Sequence, residues 1–174
     1  MTENVMSLPS DKSHSLQRPR ALEAILYGGL AVGVLDGLAA VIITSLRGGS
    51  PARMFQGIAS GLIGRASLQG GWATVLLGAS LHFLIAFIWT TIYCGASLKL
   101  PALTQRALIW GPIYGVVVYF AMQIIVLPLS AIGKPPFSFA PPLQILQGII
   151  VHILCVGLPI ALLARRSAKL KWDL

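Results

Sequence analysis

Four side chains stand inside otherwise apolar stretches of this sequence: Asp36, His82, Tyr119 and His152. A carboxylate, two imidazoles and a phenol can pass protons, hold a cation or, through the two histidines, ligate a metal or a haem iron. Other chemistry has no foothold here. There is no nucleophile elbow, no phosphate-binding loop and no glycine-rich nucleotide fingerprint. No H-x-x-x-H or H-E-x-x-H spacing presents metal ligands. The residues therefore point away from an enzyme, with no catalytic residue to nominate, and leave the question open. No cofactor or metal is expected; haem or metal held through His82 and His152 is the minority alternative.

The elements that carry these residues are long and apolar. Of 174 residues, 56% are apolar and only 10% charged, against about 25% charged in globular chains. Apolar runs extend over about 22–46, 73–98, 107–132 and 143–164. Each is near or above the roughly 20 residues that cross a ~30 Å hydrocarbon core as a helix. None alternates as a membrane strand would. The expected fold is all-α: a polytopic membrane protein with four transmembrane helices in a bundle, spanning residues 21–166. Pro112, Pro128 and Pro159 are tolerable in such helices because neighbours re-satisfy the freed carbonyls. Residues 1–20, polar and aperiodic, read as a disordered tail, and residues 167–174 as a basic tail. Cys94 and Cys155 read as apolar-like thiols.

The net charge of +8 reads as membrane orientation. Basic residues on the side of the two chain ends and the 99–106 loop number nine, against four at Arg47, Arg53, Arg65 and Lys134. Both termini are thereby predicted to be cytoplasmic. Arg47, Arg53 and Arg65 read as interfacial side chains reaching for headgroups. Trp72, Tyr93 and Trp110 lie near span ends, as aromatic anchors do. No basic stripe interleaved with aromatics suggests nucleic acid. The expected partners are membrane lipids, with self-association left open.

Between the first two spans, Ser50-Pro51 reads as the N-cap and first position of a short helix over 51–65. Met54, Phe55, Ile58 and Leu62 recur on one face, and Gly57, Ser60, Gly61 and Gly64 on the other. It is expected to lie on the interface or to re-enter the bundle.

Depth links the polar residues. Each lies nine or ten positions from one end of its span, or roughly 13–15 Å at 1.5 Å per residue. All four ends belong to the same side, so the residues share a level near the midplane. The second and fourth spans also share a pattern: Gly78, His82 and Leu84 match Gly148, His152 and Leu154 as G-x-x-x-H-x-L. Aligning Gly28 with Gly111 brings Asp36 onto Tyr119, which hints at two related hairpins. Gly29, Gly33 and Gly37 form a small-residue ladder, as do Gly111 and Gly115. The ladders predict close packing of the first span on the third.

An aspartate at this depth costs about 2.5–3.5 kcal/mol on insertion scales, which a hydrogen bond to His82 or His152 would lower. The first reading is therefore a polar level that fixes helix packing in a structural or interaction protein. The alternatives are a small transporter or channel component handling protons or cations, and a haem- or metal-binding membrane protein.

The runs "RMFQGIASGLIGRASLQGGWATVLLGASLHFLIAF", "YGVVVYFAMQIIVLPLSA" and "HILCVGLPIALLARR" resemble the YagU-like family of small bacterial inner-membrane proteins. The resemblance covers roughly 22–166. It implies a four-helix fold in the bacterial cytoplasmic membrane and assigns chemistry to no residue.

Overall fold

The structure, a computed structural model, describes residues 17–133 and 141–169, all helical or in short connections. Helix α1 covers Gln17–Leu46 and α2 Pro51–Ile63, followed by a 3-10 segment, Gly64–Gln69. Helix α3 covers Gly71–Lys99 and the short α4 Ala102–Gln105. Helix α5, Ala107–Ala121, passes through a π-turn at Met122–Val126 into α6, Leu127–Leu129. Helix α7, Pro142–Val151, passes through a second π-turn at His152–Gly157 into α8, Leu158–Lys169. Most of the expected N-terminal tail, Lys134 and the end of the basic C-terminal tail lie outside the described residues.

Four stretches are long and apolar enough to cross a membrane: Leu22–Leu46, Gly71–Lys99, Ala107–Leu129 and Pro142–Ala168. Only 17% to 22% of the most apolar part of each is buried within the bundle. Leucines and isoleucines at 22, 26, 30, 38 and 42 of the first span alone face outwards. So much outward apolar surface requires hydrocarbon to cover it. The chain is an integral, multi-pass membrane protein with an all-α fold. Its two faces are named here by what lies on them: a terminal face, with Gln17, the 99–106 connection and Lys169, and a loop face, with the 47–70 connection.

The glycines decide which spans touch, and the pairing differs from the expected one. A Cβ on Gly29 or Gly33 would collide with the rings of Phe87 and Phe83, and one on Gly37 would stand 3.2 Å from His82 Nε2. The first ladder therefore receives the large side chains of the second span, not the third span. Gly111 and Gly115 in turn receive the backbone of the fourth. A Cβ on Gly115 would lie 2.5 Å from the His152 carbonyl, and Gly157 meets Gly115 with the same closeness. The physical reason is local: each ladder is answered by an adjacent span in an antiparallel hairpin, the shortest route to close packing.

The π-turns have an identifiable cause. Proline has no N–H and its ring crowds the carbonyl four residues earlier. Pro128 and Pro159 lie just beyond the two turns, and the helix widens ahead of each. Leu127 N–H reaches back five residues to Met122 O, and Leu158 N–H to Ile153 O.

Helix α2 is packed into the loop face rather than laid over it. Gln56 Nε2 donates to Gly71 O (3.2 Å), Ser67 Oγ to Gln56 O (2.9 Å) and Thr74 Oγ1 to Ser67 O (2.7 Å). Ala131 N–H donates to Gly61 O at 2.8 Å, tying its far end to the third span. The buried face is Gln56, Ala59 and Ser60, lying between the two faces expected from sequence. Leu62 is exposed. Ser50 does hold the N-cap position with Pro51 behind it, although its hydroxyl caps nothing. A Cβ on Gly78 would collide with the Phe55 carbonyl. Gly78 is seven residues into its span, so α2 crosses about 10 Å from that end.

Candidate functional site

Three of the four polar residues meet. Asp36, His82 and His152 line one cavity of about 100 Å³ at the centre of the bundle, with aliphatic side chains of all four spans around them. The helices fix these positions through small residues. His82 approaches the first span because Gly37 has no side chain in its way. His152 opens the second π-turn, which rotates the following residues relative to a regular helix. Tyr119 does not line the cavity. It is buried behind His152, with ring centroids 5.4 Å apart, and its ring fills the space over Gly148.

The expected bond between aspartate and histidine is not formed. His82 Nε2 lies 3.0 Å from Gly33 O, and His152 Nδ1 lies 2.9 Å from Gly148 O. A carbonyl oxygen only accepts, so in each bond the imidazole donates. Both histidines thus spend one nitrogen on backbone and keep the other free. Among the described residues the Asp36 carboxylate has no hydrogen-bond or ion-pair partner. Neither it nor a free imidazole nitrogen is sealed in: among the described residues no side-chain nitrogen or oxygen is both buried and unpartnered. The polar atoms face open space. The half-buried Cys155 thiol lies within electrostatic reach of Asp36.

The cavity is partly open, and a different cluster of side chains flanks it towards each face. On the loop-face side Ile58 of α2 lines it, and Phe55 sets its ring edge against His82 at 6.4 Å. On the terminal-face side stands Trp89, stacked edge-on with Tyr114, whose ring meets Tyr93 at 4.8 Å. Tyr114 Oη donates to Trp89 O (2.7 Å), and Tyr93 Oη to Leu103 O (2.9 Å) in α4. Tyr93, expected as an interfacial anchor, is instead 1% exposed. It belongs to this aromatic floor because its hydroxyl has the Leu103 carbonyl within reach. Trp72 and Trp110 are exposed.

Comparison with protein-family models, curated proteins and solved structures matches none of them.

The remaining sequence candidates lie away from the cavity. Arg47 is exposed and donates to Gln147 at the start of the fourth span. Arg53 and Arg65 are exposed on the loop face. Sequence reasoning missed Trp89, Ile58 and the π-turns. The prolines carried a signal for the turns; nothing in the spacing marked Trp89 or Ile58 as cavity residues.

Proposed function

We propose that this protein is a small carrier of protons or cations, and that the cavity between the spans is where the cargo is held. One observation carries the reading: the Asp36 carboxylate lines a membrane-level cavity and, among the described residues, has no hydrogen-bond or ion-pair partner. A charge left so is expensive, and a proton or a cation relieves it. A role in packing alone predicts the opposite arrangement, with the carboxylate consumed by a histidine. Phe55 and Ile58 flank the site on one side, and Trp89 with Tyr114 on the other, where two gates around one site would stand. The excess of basic residues on the terminal face supports placing that face in the cytoplasm of a bacterial cell. The likeness to YagU-like proteins, drawn from the sequence, agrees with that membrane.

The test is proton flux in proteoliposomes with an entrapped pH-sensitive dye and an imposed potential. Wild type is expected to acidify or alkalise the lumen faster than empty vesicles, with methylammonium present or absent. Asp36→Asn, nearly the same shape, is expected to fall to the empty-vesicle rate while remaining folded. Equal flux in wild type and Asp36→Asn would contradict the reading.

A further inference from the structure

The polarity of the cavity narrows what it can hold, and this inference rests on the carrier reading above. Each neutral imidazole, having donated one N–H to a backbone carbonyl, presents a lone pair on its other nitrogen. An ionised Asp36 accepts only. Apart from the indole N–H of Trp89, every side-chain polar atom of the lining that these two bonds leave unspent is therefore an acceptor, contributed by three different spans. No lysine or arginine lines the cavity, so an anion has nothing to meet. A compact metal ion is also poorly matched. Among the described residues no three of His, Cys, Asp and Glu stand close enough to hold one. Acceptors too far apart for one metal ion suit a cation that carries its own hydrogen-bond donors outward.

Size and surface agree. About 100 Å³ is well above the roughly 10–15 Å³ that one water needs on that measure, enough for a cation of a few heavy atoms. Trp89 at one end offers the strongest aromatic partner for a cation. Aliphatic side chains supply the rest of the wall, which suits a short alkyl group.

We propose that the cavity takes small ammonium-type cations, ammonium itself or a short primary amine, with Asp36 as counter-ion and His82 and His152 as acceptors of its N–H groups.

The test uses methylammonium as the probe, with the full-length protein in detergent and in proteoliposomes. Methylammonium chloride is expected to raise the thermal unfolding temperature. Potassium chloride and tetramethylammonium chloride at equal concentration are not, because the first has no N–H and the second neither N–H nor room. Asp36→Asn is expected to weaken methylammonium binding about tenfold or more, as for loss of a charge-assisted hydrogen bond. Trp89→Leu is expected to weaken it less. Equal stabilisation by potassium would overturn the proposal, since charge alone would then account for it. No stabilisation by methylammonium, in a protein that still passes protons, would overturn the ammonium class and leave the carrier reading intact. Methylammonium stabilisation lost in Asp36→Asn, without flux of methylammonium or protons, would uphold the ligand and overturn the carrier.

Discussion

The two halves of the bundle use one motif in two ways. In the second span the notch at Gly78 is filled by the backbone of α2 at Phe55, and in the fourth the notch at Gly148 is filled by the ring of Tyr119. Four residues on, His82 has the Phe55 ring edge beside it and His152 the Tyr119 ring. The first hairpin is built from unbroken helices, and the second is interrupted by a π-turn in each span. The same glycine-histidine spacing thus serves an inserted helix in one half and an in-line aromatic in the other. The first half can lose its filler by moving a segment, while the second can lose it only by moving a side chain within a span.

The largest expected effect follows from what each glycine meets. Gly78→Ala sets a methyl against a backbone carbonyl that cannot rotate away. We expect destabilisation of about 3 kcal/mol, the upper range for overpacking, with α2 opened to protease. Gly148→Ala meets a ring, which can turn, and about 1 kcal/mol is expected. Thermal unfolding in detergent with limited proteolysis would check both, and equal losses would break the comparison.

A second contrast lies within the ladders. Gly115→Ala drives a methyl into the His152 backbone, at 2.5 Å, whereas Gly37→Ala meets only the tip of the His82 ring at 3.2 Å. The first is expected to cost about 2 kcal/mol and the second under about 1, measured by the same unfolding. A larger loss at Gly37 would show that the first ladder, not the second, is the tighter crossing.

How far the sequence showed this follows from the same residues. Four spans were legible because length and apolarity are sufficient for membrane helices. The shared level of Asp36, His82 and His152 was legible too, since rise per residue converts spacing to depth. Rotation was not, and so the ladder at Gly29, Gly33 and Gly37 was assigned to the wrong neighbour. Pairing depends on which large side chain faces the gap, and Phe83 and Phe87 give no sign of that in sequence. Tyr119 shared the depth but not the cavity for the same reason. The Asp36–histidine bond failed because backbone carbonyls compete for an imidazole, and Gly33 O and Gly148 O are nearer. Tyr93 was misplaced because its position near a span end fits an anchor as well as a hydroxyl bonded to Leu103 O.

A smaller effect concerns the aromatic floor. Tyr114→Phe removes the bond to Trp89 O and keeps the ring. In membranes such bonds contribute about 0.6 kcal/mol on average, so unfolding should shift little. Proton flux in proteoliposomes should rise if this bond holds one gate shut. Unchanged flux with lowered stability would show that this bond serves packing and not closure.

The central claim is that both histidines are tied to backbone and Asp36 is left to the cavity. Solid-state NMR of the protein in bilayers, with labelled histidine and aspartate, reads this directly, with His14→Gln removing the third imidazole. Two different tautomers are expected, protonated at Nε2 in His82 and at Nδ1 in His152, with no imidazole nitrogen hydrogen-bonded to the Asp36 carboxylate oxygens. An Asp36 carboxylate bonded to either ring, or one tautomer shared by both, would contradict it.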